Sequence, residues 1–379
     1  MISKHETNAP GRRPGAPAGA ASRPTPALEA FLAWPLAAAT LVGQANARLF
    51  KDLMSLGRFR VANGSLLPWT TPNQVALELP SMRLRDFSVG TEGSATLVCA
   101  PYALHAATVA DFAPGHSLVE TLGRGGLSRL FVTDWRSATP ETRYFTIDSY
   151  LADLNVAVDE LGPPVNLIGL CQGGWLALVY AARFPKKVRR LVLVGAPVDI
   201  AAAQSPLSRS VAELPLGVFN EWVRLGEGIV HGDRILEFWP ISTCEADRVL
   251  QIPPDLDPAG RCELNDRFKK WNAEAIDLPG IFYLQVVNCL FRENQIAEGT
   301  FVALGQAIDL KQIRVPIFLL AARDDEIVPA DQLFATARLV GTPAEHQEKM
   351  VEPCGHLALF LGKAVLEGAW REIARWLLL

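Results

Sequence analysis

A cysteine bracketed by glycines, Gly169-Leu170-Cys171-Gln172-Gly173-Gly174, follows directly on the apolar run Val165-Asn166-Leu167-Ile168 and leads into Trp175 and a helical pattern. A strand that turns sharply into a helix forces its apex residue into a strained backbone conformation, and glycine at the flanking positions removes the Cβ atoms that would clash. A thiol at that apex is a nucleophile for carbonyl carbon. Its thiolate is favoured by the helix N-terminus behind it, where the amide of Gln172 is placed to donate to a developing oxyanion. The chemistry is acyl transfer or hydrolysis through a covalent thioester.

Such a nucleophile needs a base, and the base needs an orienting carboxylate; on a doubly wound sheet they arrive on later loops, in the chain order nucleophile, acid, histidine. Of the histidines, His5 lies near the start, His231 in a helical region, and His346 beside a weak strand. His105 and His116 follow the first core strand, whereas His356 stands in Pro353-Cys354-Gly355-His356 after the last, where the base belongs. The apolar run Ile317 to Ala321 enters Arg323-Asp324-Asp325-Glu326-Ile327-Val328-Pro329, so the acid is one of Asp324, Asp325 and Glu326. The loop Ala100-Pro101-Tyr102-Ala103-Leu104-His105 leaves the strand whose exit supplies a second oxyanion amide. Leu104 and His105 therefore join Gln172 as candidate oxyanion or substrate-binding residues.

The elements that must position these groups are legible as short apolar runs: Thr96 to Ala100, Leu130 to Thr133, Val165 to Leu170, Leu191 to Val194 and Ile317 to Ala321. Runs of this kind, buried on both faces, mark parallel strands. Helical spacing lies between them, with Ile147, Tyr150, Leu151, Leu154, Val158 and Leu161 on one face and Trp175 to Phe184 after the cysteine turn. The expected architecture is an α/β doubly wound, mostly parallel sheet with its core in 81–198 and 311–379. Met82 to Phe87 reads as an edge strand, Gln347 to Pro353 as a weak last strand, and Lys363 to Leu379 as a closing helix. Residues 199–310 show helical and loop signals with aromatics and no clean strand, which suggests a helical cap over the cysteine.

Residues 1–26, rich in Pro, Ala, Gly and basic side chains, read as a disordered tail, and 27–80 as an N-terminal helical segment. Within it, Ala30 to Gly43 is apolar for about fourteen residues, short of the 18 or more that span a bilayer. It reads as a helix docked on the domain or on a partner. The chain has 379 residues, 49% hydrophobic, with a net charge of -4, which gives no electrostatic case for nucleic acid. Six cysteines without a Cys-x-x-Cys pair indicate neither a zinc site nor a disulfide framework and fit a reducing cytoplasm.

From about Ala95 onward these motifs resemble the polyhydroxyalkanoate synthases, especially the short form that works with a second, non-catalytic subunit. Gly169-Leu170-Cys171-Gln172-Gly173-Gly174 is similar to that family's cysteine-containing lipase-like box, and Gly355-His356 to its catalytic Gly-His. Asp325-Glu326-Ile327-Val328-Pro329 resembles the block carrying the family's catalytic Asp, which selects Asp325. Ala196-Pro197-Val198-Asp199, Trp271-Asn272, Leu278-Pro279-Gly280 and Glu293-Asn294 also look like family blocks. The resemblance implies an α/β-hydrolase fold and a Cys171, Asp325, His356 triad that polymerises (R)-3-hydroxyacyl-CoA into polyester. It implies no cofactor beyond the coenzyme A carried by the substrate, and activity in the cytoplasm at polymer granules; a homo-oligomer is also expected.

Two departures point elsewhere. Glu326 replaces the family's His, and His105 stands where the synthases carry Asn. The loop from Ala100 to Thr108 and Thr133-Asp134-Trp135-Arg136 look more like the intracellular polyhydroxyalkanoate depolymerases, although those carry Pro where Gly173 stands here. A depolymerase or thioesterase of the same fold is therefore the alternative, and a granule-associated protein without activity the third reading.

Overall fold

The computed structural model describes residues 67–237 and 246–379. The expected tail, the apolar stretch Ala30 to Gly43, most of the expected N-terminal helical segment and Cys244 lie outside the described residues. Eight strands form one sheet: β1 (Gln74–Glu78), β2 (Met82–Asp86), β3 (Thr96–Cys99), β4 (Leu130–Trp135), β5 (Val165–Leu170), β6 (Val188–Val194), β7 (Ile317–Ala322) and β8 (Gln347–Glu352). Their spatial order is β1-β2-β4-β3-β5-β6-β7-β8. From β4 to β8 every pairing is parallel, while β2 pairs antiparallel with both β1 and β4. All residues of β3, β4, β5 and β7 are buried, as their continuous apolar runs require of strands covered on both faces.

The amino-terminal margin differs from expectation. Residues 67–80 contain no helix, and Gln74–Glu78 is the edge strand in place of Met82 to Phe87. Because β1 is almost wholly exposed, its side chains follow no burial pattern, whereas β2 buries Met82 and Leu84 and half-exposes Arg83 and Arg85.

Three helices carry the core connections: α1 (Leu118–Arg124), α2 (Ile147–Leu161) and α3 (Gln172–Arg183). α2 starts at a reciprocal Thr146–Ser149 capping box, buries Ile147, Tyr150, Leu151, Leu154, Val158 and Leu161, and stops at left-handed Gly162. α3 is apolar all round and buried from Gly173 to Ala182, so it packs deep against the sheet. Its entry is tight. A Cβ on Gly173 would lie 2.2 Å from the Cys99 carbonyl oxygen and 2.5 Å from that of Ala100, and one on Gly169 would lie 2.5 Å from Gly174 Cα.

Between β6 and β7 the chain forms an insertion whose longer helices are α4 (Pro206–Glu213), α5 (Leu216–Leu225) and α6 (Pro258–Ala273). It contains two small strand pairs that its sequence did not announce, Ile229–Val230 with Leu278–Pro279 and Val302–Ala303 with Gln306–Ala307. The insertion is fastened to loops leaving the carboxyl ends of β3 and β4. Ile276 N–H donates to Leu104 O at 2.9 Å, Ala138 N–H to Asp277 O at 2.9 Å, and Phe282 N–H to Phe145 O at 3.1 Å. Phe282 also packs between Tyr102 and Tyr150, with ring centroids 5.1 and 4.8 Å away.

The expected closing helix is broken at Gly368, which separates a short helix, Lys363–Glu367, from α7 (Ala369–Leu378). Trp370, Ile373 and Ala374 of α7 are buried, but Trp376 is only half-buried. No helix among the described residues is long and apolar enough to cross a membrane.

The close approach at Gly173 is directly checkable. Gly173→Ala is expected to lower the urea unfolding midpoint, with a loss of about 1–3 kcal/mol from overpacking. Gly123→Ala, in α1 with nothing within 4 Å of the added atom, serves as the neutral or mildly stabilising control.

Candidate active site

Cys171 sits between β5 and α3 at φ 47° and ψ -116°. A non-glycine residue held there costs about 1–3 kcal/mol, a strain that persists only where the surroundings over-determine it. Here they do: Cys171 N–H donates to Val194 O at 2.9 Å, Gly174 N–H to Cys171 O at 2.9 Å, and the glycines on either side admit the neighbouring backbone. The thiol is partly exposed.

The sheet order brings the other two expected groups to the same place. Asp325 follows β7 and is buried, while Asp324 and Glu326 beside it are exposed, and it is Asp325 that meets His356. One carboxylate oxygen of Asp325, Oδ1, accepts from the amides of Ile327 at 2.9 Å and Val328 at 2.8 Å. Its Oδ2 takes His356 Nδ1–H at 2.7 Å. That bond fixes the tautomer, so Nε2 is the nitrogen left for the thiol. His356 follows β8 and must reach across the end of β6 to meet Cys171. Gly195, just past β6 at φ 52°, leaves the room: a Cβ there would stand 3.1 Å from His356 Cε1.

Burial alone would push the His356 imidazole below its ordinary value. The charges of Asp325 and Cys171, with the hydrogen bond to Asp325, outweigh burial and hold it well above. Two other thiols stand near the site, and both are held protonated. Cys99 is pushed up to about 12 by burial, and Cys354, two residues before His356, to about 12 by burial and the nearby carboxylates of Glu352, Asp325 and Asp324. A buried carboxylate, an imidazole and a thiol in series can take a proton from sulfur and return it to a leaving group.

The remaining expected residues are placed less uniformly. Gln172 opens α3, with its amide at the helix N-terminus, and its side-chain Oε1 accepts from Trp175 Nε1–H at 2.5 Å. Leu104 and His105 are engaged by the insertion, where a backbone bridge joins His105 to Ala275. The His105 ring stacks on Trp271 with centroids 4.2 Å apart, and its Nδ1–H donates to Glu274 O at 3.3 Å. Burial pushes that imidazole down to about 4, so it stays neutral. Among the described residues no hydrogen bond joins Leu104 or His105 to Cys171, Asp325 or His356. His116, the other histidine after β3, is buried elsewhere with Nδ1 on Leu361 O at 2.9 Å. Among the described residues no cluster of His, Cys, Asp and Glu is arranged to hold a metal ion.

Sequence reasoning missed the clamp that seats the insertion. Buried Asp199 accepts from Asn294 Nδ2–H at 2.8 Å and pairs with Arg338, and Asn294 Oδ1 accepts from Ile200 N–H at 2.9 Å. The signal was available, since Asp199 and Asn294 each stand in a family-like block 95 residues apart.

Residues 129–363 match the family model described as alpha/beta hydrolase fold. The chain is 24% identical over 324 residues to the poly(3-hydroxyalkanoate) polymerase subunit PhaC of Haloferax mediterranei, covering 81% of this chain and 63% of that protein. The same subunit of Allochromatium vinosum is 27% identical over 65% of this chain and 71% of its own length. That of Synechocystis sp. is 27% identical over 70% and 73%. The match thus spans under two thirds of the haloarchaeal relative, and the likeness to polyhydroxyalkanoate synthases read from the motifs extends over most of this chain. Among solved structures, the monoacylglycerol lipase of Paleococcus ferrophilus superposes with a TM-score of 0.52 at 16% identity over 78% of this chain and 98% of that one. A bromoperoxidase from Bacillus anthracis gives 0.51 at 16% identity over 81% and 99%. These last two speak for the fold alone.

The electrostatics of the three groups can be read by NMR titration of the His356 ring. Asp325→Asn removes the negative neighbour that most favours the imidazolium, so the ring's titration should move to lower pH, and Cys171→Ala should move it the same way. An unchanged or higher midpoint in both variants would show that the imidazole does not sense them.

Proposed function

The chain belongs to the α/β-hydrolase fold family, and from that premise we propose that it is an acyltransferase that polymerises (R)-3-hydroxyacyl-CoA into polyhydroxyalkanoate through a Cys171 thioester. The observation that carries the proposal is the buried Asp325–His356 contact, 2.7 Å long, set beside Gly195 next to the Val194 carbonyl that holds the strained Cys171. The named activity of the polymerase relatives supplies the substrate class.

In this reading His356 Nε2 takes the Cys171 proton, and the sulfur attacks the thioester carbonyl. The tetrahedral oxyanion is met by the Gln172 amide and an amide of the loop after β3. Its collapse breaks the bond to the coenzyme A sulfur, which leaves with the proton from His356. Exchange of one thioester for another is nearly isoenergetic, so the acyl group on Cys171 keeps its transfer potential. The 3-hydroxyl of the next acyl group then gives its proton to His356, oriented by Asp325, and its oxygen attacks the Cys171 thioester. An ester forms and the thiol is regenerated. Water would divert this step to free acid, and the insertion, fastened at Leu104, Ala138 and Phe145, serves as the cap that limits it. The chain acts beside a second, non-catalytic subunit, as a homo-oligomer, at polymer granules in the cytoplasm; this rests on the likeness to the short synthases.

A hydrolase reading has its own support in the loop that carries His105 and in Thr133-Asp134-Trp135-Arg136, which resemble depolymerase sequence. Product form separates the two. With 3-hydroxybutyryl-CoA the synthase releases thiol and leaves insoluble polymer, whereas release of thiol with only soluble hydroxy acid would overturn the synthase. Cys171→Ala is expected to lower thiol release by roughly 10³-fold or more. Full activity in that variant would remove the cysteine from the chemistry.

A further inference from the structure

On its far side the sheet ends at β8, which pairs only with β7. From Glu348 to Val351 the outer backbone edge of β8 has no hydrogen-bond partner among the described residues. Alternation places Glu348, Met350 and Glu352 on one face and Lys349 and Val351 on the other, where Lys349 Nζ lies 5.5 Å from the Phe334 ring. Beside the first face, α7 leaves a groove of about 510 Å³ lined by Phe318, Glu348, Glu372, Arg375, Trp376 and Leu379. Its aromatic wall is packed: Trp376 meets Phe318 edge-on at 5.6 Å and carries the Arg190 guanidinium 4.7 Å from its centroid.

The carboxylates of this edge, Glu348, Glu352 and Glu372, lack ion-pair partners among the described residues. Burial and the neighbouring Glu372 charge both hold the Glu352 carboxyl above its ordinary range. Arg375 stands in the groove with Glu348 and Glu372 and turns its Nε–H to Arg371 O at 3.3 Å, Arg190 lies on Trp376, and Lys349 is on the opposite face of β8.

A second copy of the chain is a poor occupant. Two-fold pairing of β8 with itself is antiparallel, and directly opposed residues share a face. Centred on Glu348 or Lys349 it sets that residue against its own copy, centred on Met350 it sets Glu348 against Glu352 twice, and centred on Val351 it sets Lys349 opposite Pro353, which has no N–H to complete the pair. Like charges directly opposed are destabilising. A different strand, with cations facing Glu348 and Glu352 four residues apart and an apolar side chain facing Met350, meets the same edge without conflict.

We propose that β8 and the groove beside it receive an extended basic segment of another protein, which adds a strand to the sheet and directs alternate side chains into the Trp376 groove. Main-chain hydrogen bonds would supply the affinity, and the carboxylates the selectivity. The site lies on the outer edge of the sheet, and its test does not use the acyl chemistry.

The probe is a fluorescein-labelled peptide, Thr-Lys-Thr-Leu-Thr-Lys-Thr, titrated with the full chain by anisotropy against a peptide with Glu in place of both Lys. The Lys peptide should bind at least tenfold more tightly at low salt, with the gap narrowing as salt is added. Glu348→Lys and Glu352→Lys should each erase that preference, Glu372→Gln should reduce it, and Lys349→Glu on the opposite face should leave it in place. A matching far-ultraviolet circular dichroism melt certifies the fold of each variant. Equal binding of the two peptides, binding of neither, or a preference that survives Glu348→Lys together with Glu352→Lys would overturn the proposal.

Discussion

The contact on which the site depends is the buried one between the Asp325 carboxylate and the His356 imidazole. A carboxylate out of water is tolerated only when its lone pairs are occupied, and here two backbone amides and one ring N–H occupy them. Because the acid is satisfied by its own loop on one oxygen, the other is free to fix the ring. The imidazole thereby acquires a defined tautomer and a preference for the proton, which is what a thiol needs in a partner.

The rest of the structure serves to bring that contact to the sulfur. In the order β5-β6-β7-β8 the cysteine, the acid and the histidine stand at the carboxyl ends of three strands, with β6 between the cysteine and the other two. The histidine therefore crosses the end of β6, and the residue there is Gly195, where a side chain would press on the ring. The glycines around Cys171 play the same part from below, allowing α3 to start against the end of β3. Both arrangements exchange side-chain volume for close approach of backbone and ring.

Much of this was legible in the sequence because it is written locally. The run from Val165 through Gly174 states a strand, a bend and a helix within one stretch, and the order of Cys171, Asp325 and His356 follows from the topology of such sheets. Burial of Asp325 alone among the three loop acids is a tertiary fact, and only likeness to a family selected it beforehand. Other features had no local signature. β1 is exposed on both faces and shows no alternation, and the break at Gly368 lies inside an otherwise uninterrupted apolar pattern. The stacking of His105 on Trp271 and its bond to Glu274 come from residues more than 160 positions away, which no local pattern announces.

The central claim is that Cys171 carries the acyl group. The most direct test mixes the enzyme with one equivalent of 3-hydroxybutyryl-CoA, quenches in acid, and maps the protein by peptide mass spectrometry. The account predicts one hydroxyacyl group on the peptide containing Cys171, formed as coenzyme A is released and lost in Cys171→Ala. Coenzyme A release with Cys171 unmodified at every quench time, or an adduct on Cys354 or another residue instead, would contradict it.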